Sequence, residues 1–376
     1  MGILKRKSME GWFIRLASIF AVAIAAMSGA TAPVNALETQ SYVVGWFSHA
    51  TNSTDDDCSG GVHPEIELQY LENLRPLGYS EEEIEEYRRK LFTGEESDLF
   101  EINENRGRVD GQPVNPYTNP ASVTDPALPA LDGKYGYGFD LDGKGADAPG
   151  AFVDPETGEN GVDHQMYRAL GCGRPYRGTL AGRPTYWDWL WGQTKMSQPA
   201  WLVTVSADDF NTDGDVTVGV YRAVEHLRSN SDGSPRSDIT YRIDPDPRSH
   251  NEFKARIENG VLYVTEHKSL RLLQNPLAAP EFNLSNTHLR LYFNDDGTIR
   301  GFIGGYQPWE EVFFGFATTG GPGETTLVGD IPALYYLLRN HADADPDPDT
   351  GINRSISATY YFEAVPAFIV NPHAGR

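Results

Sequence analysis

The sequence predicts a mainly β protein with an antiparallel β-sandwich or barrel-like core, a short N-terminal helical pair and one C-terminal helix. Two observations carry that prediction. Beyond about residue 200 the chain breaks into short runs rich in β-branched and aromatic residues, separated by turn chemistry at the close intervals typical of sandwiches and barrels. The clearest helical signatures fall at residues 64–92, before those runs, and at 331–342, where a helix interrupts them.

Taken in order, residues 1–36 read as an export signal. Lys5, Arg6, Lys7 and Arg15 precede an apolar run at 19–26, and Val34, Asn35 and Ala36 supply small residues at the cleavage positions. The apolar run is shorter than the roughly 20 residues that span a bilayer, so no stable membrane insertion is expected after cleavage. No cysteine lies near the cleavage point, and the chain's last residues are polar, which argues against a bacterial lipid anchor and a GPI tail. The expected location is periplasmic or extracellular. The remaining chain divides into an N-terminal helical segment with an extended Pro- and Asn-rich arm at 37–130, and a β-rich core at 131–376.

Residues 64–92 predict two short helices broken at Pro76-Leu77-Gly78. Ser80 with Glu83 three residues on is a capping box, and acids crowd the second helix start, where the dipole favours them. From 94 to 130 Asn, Asp and Gly abound alongside Pro113, Pro116, Pro120, Pro126 and Pro129. That composition predicts an arm lying over the core. Strands are predicted at 200–206, 216–224, 252–258, 261–266, 288–293, 298–306 and 355–365. Asn259-Gly260 is a two-residue hairpin turn between two of them. The helix at 331–342 has Asp330 as its N-cap and Pro332 in its first turn.

A formal charge of -22 repels nucleic-acid phosphate and anionic lipid, so nucleic acid is not an expected partner. Divalent cations suit such a chain better. Cys58 and Cys172 are the only cysteines, and in an oxidising compartment they are expected to form a disulfide. The absence of Cys-x-x-Cys removes any sequence case for c-type haem, and no phosphate-cradling glycine loop supports a nucleotide.

The calcium signals are acidic loops. In "DFNTDGDVTVGVY", Asp209, Asn211, Asp213, Gly214 and Asp215 match the first half of an EF-type loop, where alternate oxygens converge on the ion and a glycine allows the sharp turn. Val220 stands where a bidentate glutamate would close the shell, so the alternative is a polar β-turn. A second concentration holds Asp140, Asp142, Asp154 and Asp163, hard oxygens on a glycine-rich segment. A third, Asp343, Asp345, Asp347 and Asp349, alternates with prolines that splay its carboxylates, and reads as a solvated loop.

In "TYWDWLWGQ", a strand would place Trp187, Trp189 and Trp191 on one face as a sugar-stacking platform, whereas a helix would spread and mostly bury them. Arg174 and Arg177, in the only basic cluster, suit either an anionic ligand or the protein's own acids. Asp188 and Glu310, each beside a tryptophan, are the weak candidates for paired catalytic carboxylates. The leading expectation is an exported, calcium-stabilised β-rich binding or structural protein, its partner a carbohydrate or envelope component. The alternative is a secreted, glycoside hydrolase-like carbohydrate-active enzyme.

Overall fold

The computed structural model describes residues 37–195, 197–273, 281–318 and 320–370. The predicted signal at 1–36 lies outside them. Eight antiparallel strands close into a barrel. They are β1 (Glu38–His49), β2 (Pro199–Ala207), β3 (Gly214–His226), β4 (His250–Glu258), β5 (Val261–Val264), β6 (Glu281–Phe293), β7 (Ile299–Pro308) and β8 (Asn353–Val370). Neighbours follow chain order, and the ring closes where β8 pairs with β1, from Tyr42 opposite Pro366 to His49 opposite Tyr360. Ile239–Arg242 adds to β8, Leu270–Leu273 to β6, and Ala344–Pro346 to the start of β8.

Period-two patterning makes these strands. Along β4, Asn251, Phe253, Ala255 and Ile257 are buried, while Glu252, Lys254, Arg256 and Glu258 face water. This charged outer face is not the apolar band of a lipid-facing barrel strand. Asn259 and Gly260 take positive φ (53° and 76°), as the hairpin between β4 and β5 requires. The barrel is filled with side chains. Phe47 packs against Trp201, Phe282 and Tyr360 at ring-centroid distances of 4.8, 5.6 and 5.0 Å.

The sequence prediction of a β-rich core holds, with the barrel as its form. The predicted capping box is present, with the helix Glu81–Thr93 starting at Ser80. Strand β1 falls inside the stretch assigned to the helical arm, and from Glu38 onward the described residues belong to one compact unit. Trp46 and the valines around it carry the signal for β1. Helices are also more numerous than predicted. α1 (Ile66–Glu72), α2 (Glu81–Thr93) and α3 (Leu99–Glu104) form an N-terminal layer. α4 (Gln165–Leu170), α5 (Thr185–Thr194), α6 (Trp309–Ala317), α7 (Gly320–Leu327) and α8 (Ile331–His341) complete the set among the described residues. Because α4, α6 and α8 pack on β8, residues 355–362 are buried on both faces. Among the described residues no helix is long and apolar enough to cross a membrane.

Cys58, after β1, bonds Cys172, after α4. Closing a loop with a sequence separation of 114 removes unfolded-state freedom worth about 4 to 5 kcal/mol in the chain-entropy account. The N-terminal layer is joined to α7 and α8 by a buried polar network. Tyr70 and Tyr117 donate their hydroxyls to the Glu324 carboxylate, Ile331 donates its backbone N–H to the same group, and Arg106 forks onto Asp330 at 2.5 and 2.7 Å.

Burial and the neighbouring Asp330 charge push the Glu324 carboxyl up to about 7. A raised carboxyl means that the folded state resists ionisation, so this group's contribution to stability falls as pH rises from about 4.5 to 7 and is level above that. Glu324→Gln is therefore expected to melt higher than the parent at pH 8 and to lose that advantage near pH 5, which thermal unfolding at the two pH values measures. Equal melting shifts at both would remove Glu324 from the account.

Candidate functional site

Among the described residues two arrangements are candidate sites: a carboxylate cluster beside the barrel and a cavity at its end. The cluster consists of Asp140, Asp142 and Asp163, whose ligand oxygens lie within 4.8 Å of one another. The loop folds this way because Gly143 and Gly145 take positive φ (72° and 61°), a conformation open to glycine. A Cβ on Gly161 would stand 2.4 Å from Gly145 Cα, so only glycine allows the segment bearing Asp163 to approach. Backbone N–H groups of Leu141 and Asp142 donate to Asp163, those of Gly143 and Gly145 to Asp140, and Lys144 reaches Asp142 at 2.6 Å.

Asp343 joins from the segment before β8, where its carboxylate accepts the Ser357 N–H at 2.7 Å. Burial, with the charges of Asp142 and Asp343, pushes Asp163 up to about 6, and burial raises Asp343. The Tyr306 phenol is raised by burial and by all four acids. These oxygens fit a hard cation, since each carboxylate keeps lone pairs beyond those its N–H donors use. Sequence reasoning assigned Asp343 to a solvated loop; its approach to the cluster depends on the distant β8.

Asp154 belongs elsewhere. It pairs with Arg290 at 2.8 Å, both fully buried, and the guanidinium lies 4.9 Å from the Phe302 ring centre. The predicted half-loop forms a turn. Asp209 accepts from Asn211 and Thr212, Asp213 from the Asn259 N–H, and Asp215 pairs with Arg256. The structure does not draw these side chains to one point.

The cavity, about 40 Å³, sits at the end of the barrel where β1 stops. The strands line it with His49, Tyr360, Gln307, Asn283 and Glu281, and α5 and α6 supply Tyr186, Trp187, Glu311, Gly315 and Phe316. His49 is 3 % exposed, its ring 4.6 Å from that of Trp187 and 4.7 Å from that of Tyr360. Burial, with His164 alongside, lowers its imidazole well below the ordinary value, so it is neutral. Tyr360 accepts from Gln307 at 2.7 Å, while the buried Trp187 N–H has no acceptor.

The tryptophan segment is helical. Trp187 and Trp191, four apart, share the buried face of α5, and Trp189 is 52 % exposed, so a three-ring platform does not form. Asp188 and Glu310 are exposed and neither lines the cavity. Arg174 pairs with Glu65 and Arg177 with Asp57, at 2.6 and 2.7 Å. Both thus serve the protein's own acids. His49 was missed because a lone histidine in a strand carries no motif.

Comparison with protein-family models, curated proteins and solved structures gives no match.

Removing one partner of a buried pair leaves an uncompensated charge, which costs about 3–5 kcal/mol. Asp154→Ala is expected to lower stability by that order in chemical denaturation, in calcium and in chelator alike. A loss confined to calcium-containing buffer would return Asp154 to the ion ligands.

Proposed function

We propose that the protein is an exported binding protein: a calcium-stabilised β-barrel that receives a small ligand in the cavity at its end. One observation carries the reading. A buried N–H without an acceptor is costly unless something in the cavity meets it, and the indole N–H of Trp187, which lines the cavity beside the neutral His49, is such a group. Aromatic walls with a few convergent polar groups are the usual make-up of a small-molecule site. Calcium at Asp140, Asp142 and Asp163 is the companion proposal. It is supported by three gathered carboxylates whose mutual repulsion a cation would relieve. The enzyme alternative gains no support, because Asp188 and Glu310 are apart from the cavity.

Gly315 lines the cavity from helix α6. Gly315→Leu fills the space while improving helix propensity by up to about 1 kcal/mol. Saturation-transfer NMR against a panel of small amphipathic molecules is expected to give signals with the parent and none with Gly315→Leu, at undiminished melting temperature. Signals that survive the substitution would reject the cavity.

For the ion, Asp163 ionises with difficulty in the fold, so its charge works against stability as pH rises from about 4 towards 6, and a bound cation reverses this. Calcium at a hundredfold excess over its dissociation constant would add about 2.7 kcal/mol. The expected melting shift is therefore large at pH 7.5, small at pH 5 and absent in Asp163→Asn. The same shift in that variant would dismiss the site.

A further inference from the structure

The charge around the cavity is one-sided. Among the described residues its lining holds two carboxylates, Glu281 and Glu311, and neither lysine nor arginine. Glu281 is shared by Arg271 at 2.6 Å and Arg248 at 3.5 Å, so its charge is answered. Glu311 has no ion-pair partner among the described residues. An anion entering here would meet an uncompensated negative charge and no cation, which costs rather than stabilises.

The walls point the same way. Tyr186, Trp187 and Tyr360 bring three rings to one small space, and the face of an aromatic ring attracts a cation by about 0.5 to 2 kcal/mol, more when water is excluded. Polar needs remain as well. His49, buried and neutral, offers one ring nitrogen as acceptor and the other as donor, and the Trp187 N–H is a second donor awaiting an oxygen. A ligand that joins a positive nitrogen to a nearby oxygen answers every one of these groups.

We propose that the barrel-end cavity binds the head of an organic ammonium compound carrying a neighbouring oxygen, seated against Tyr186, Trp187 and Tyr360, with Glu311 at the rim and His49 beneath. This rests on the binding-protein reading and names its ligand class. Trp189, exposed and 6.4 Å from Tyr186, extends the aromatic surface outward for the rest of the ligand.

The test is isothermal titration at low salt with choline, with its neutral isostere 3,3-dimethylbutan-1-ol, and with acetate. Choline is expected to bind about tenfold tighter than the isostere, the equivalent of about 1.4 kcal/mol, and acetate not at all. Glu311→Gln, at an exposed site, should weaken choline severalfold and leave the isostere unchanged, while Gly315→Leu abolishes both. An isostere that equals choline overturns the ammonium class but keeps the cavity as a binding site. Absence of choline binding, or choline binding indifferent to both substitutions, overturns the proposal. Cosedimentation with phosphatidylcholine but not phosphatidylglycerol vesicles marks a lipid headgroup as the source, and choline binding without cosedimentation marks a free molecule.

Discussion

Everything in this molecule hangs on one long strand. β8 holds β7 on one side and β1 on the other, so a strand from near the start of the described chain and one from near its end close the same ring. That closure removes the exposed sheet edges that an open sheet would leave for aggregation. It also sets which residues meet inside, because a slip of one residue in β8 would turn Tyr360 and Phe362 out of the barrel and Tyr361 in. The aromatic packing of Phe47 on Tyr360 therefore records the register rather than creating it.

Charge buried at the flanks of the barrel answers a second need. Arg290 with Asp154 and Arg106 with Asp330 are almost wholly withdrawn from water, and each joins segments far apart in the chain. Arg290 sits among Phe139, Tyr292 and Phe302, whose ring faces take up part of the cation's lost hydration. The acidic composition thus has an internal use. Several of the chain's arginines are spent anchoring its loops.

The β pattern was legible because alternation is local: β4 and the Asn259-Gly260 turn announce themselves within a dozen residues. The capping box at Ser80 is local too. The cysteine pair was legible by counting, since two thiols leave one pairing within the chain. Asp140, Asp142 and Asp163 were visible as acids on a glycine-rich segment, whereas Asp154 in the same stretch was captured by Arg290, which no spacing rule anticipates. The half-loop at Asp209 misled because Asx turns and calcium loops use the same residues for different ends. β1 went unread beside a helical segment, and His49 and Glu311 acquire meaning only when β1 and α6 are brought to one end of the barrel.

The antiparallel pairing of β1 with β8 has a geometric result. Glu38 and Val370 leave the barrel on the side opposite His49, at a distance of roughly a dozen strand residues, or about 40 Å. A tether, tag or neighbouring module fused at either terminus would consequently sit behind the barrel. The aromatic opening would then face outward, unobstructed, towards whatever the surroundings bring to it.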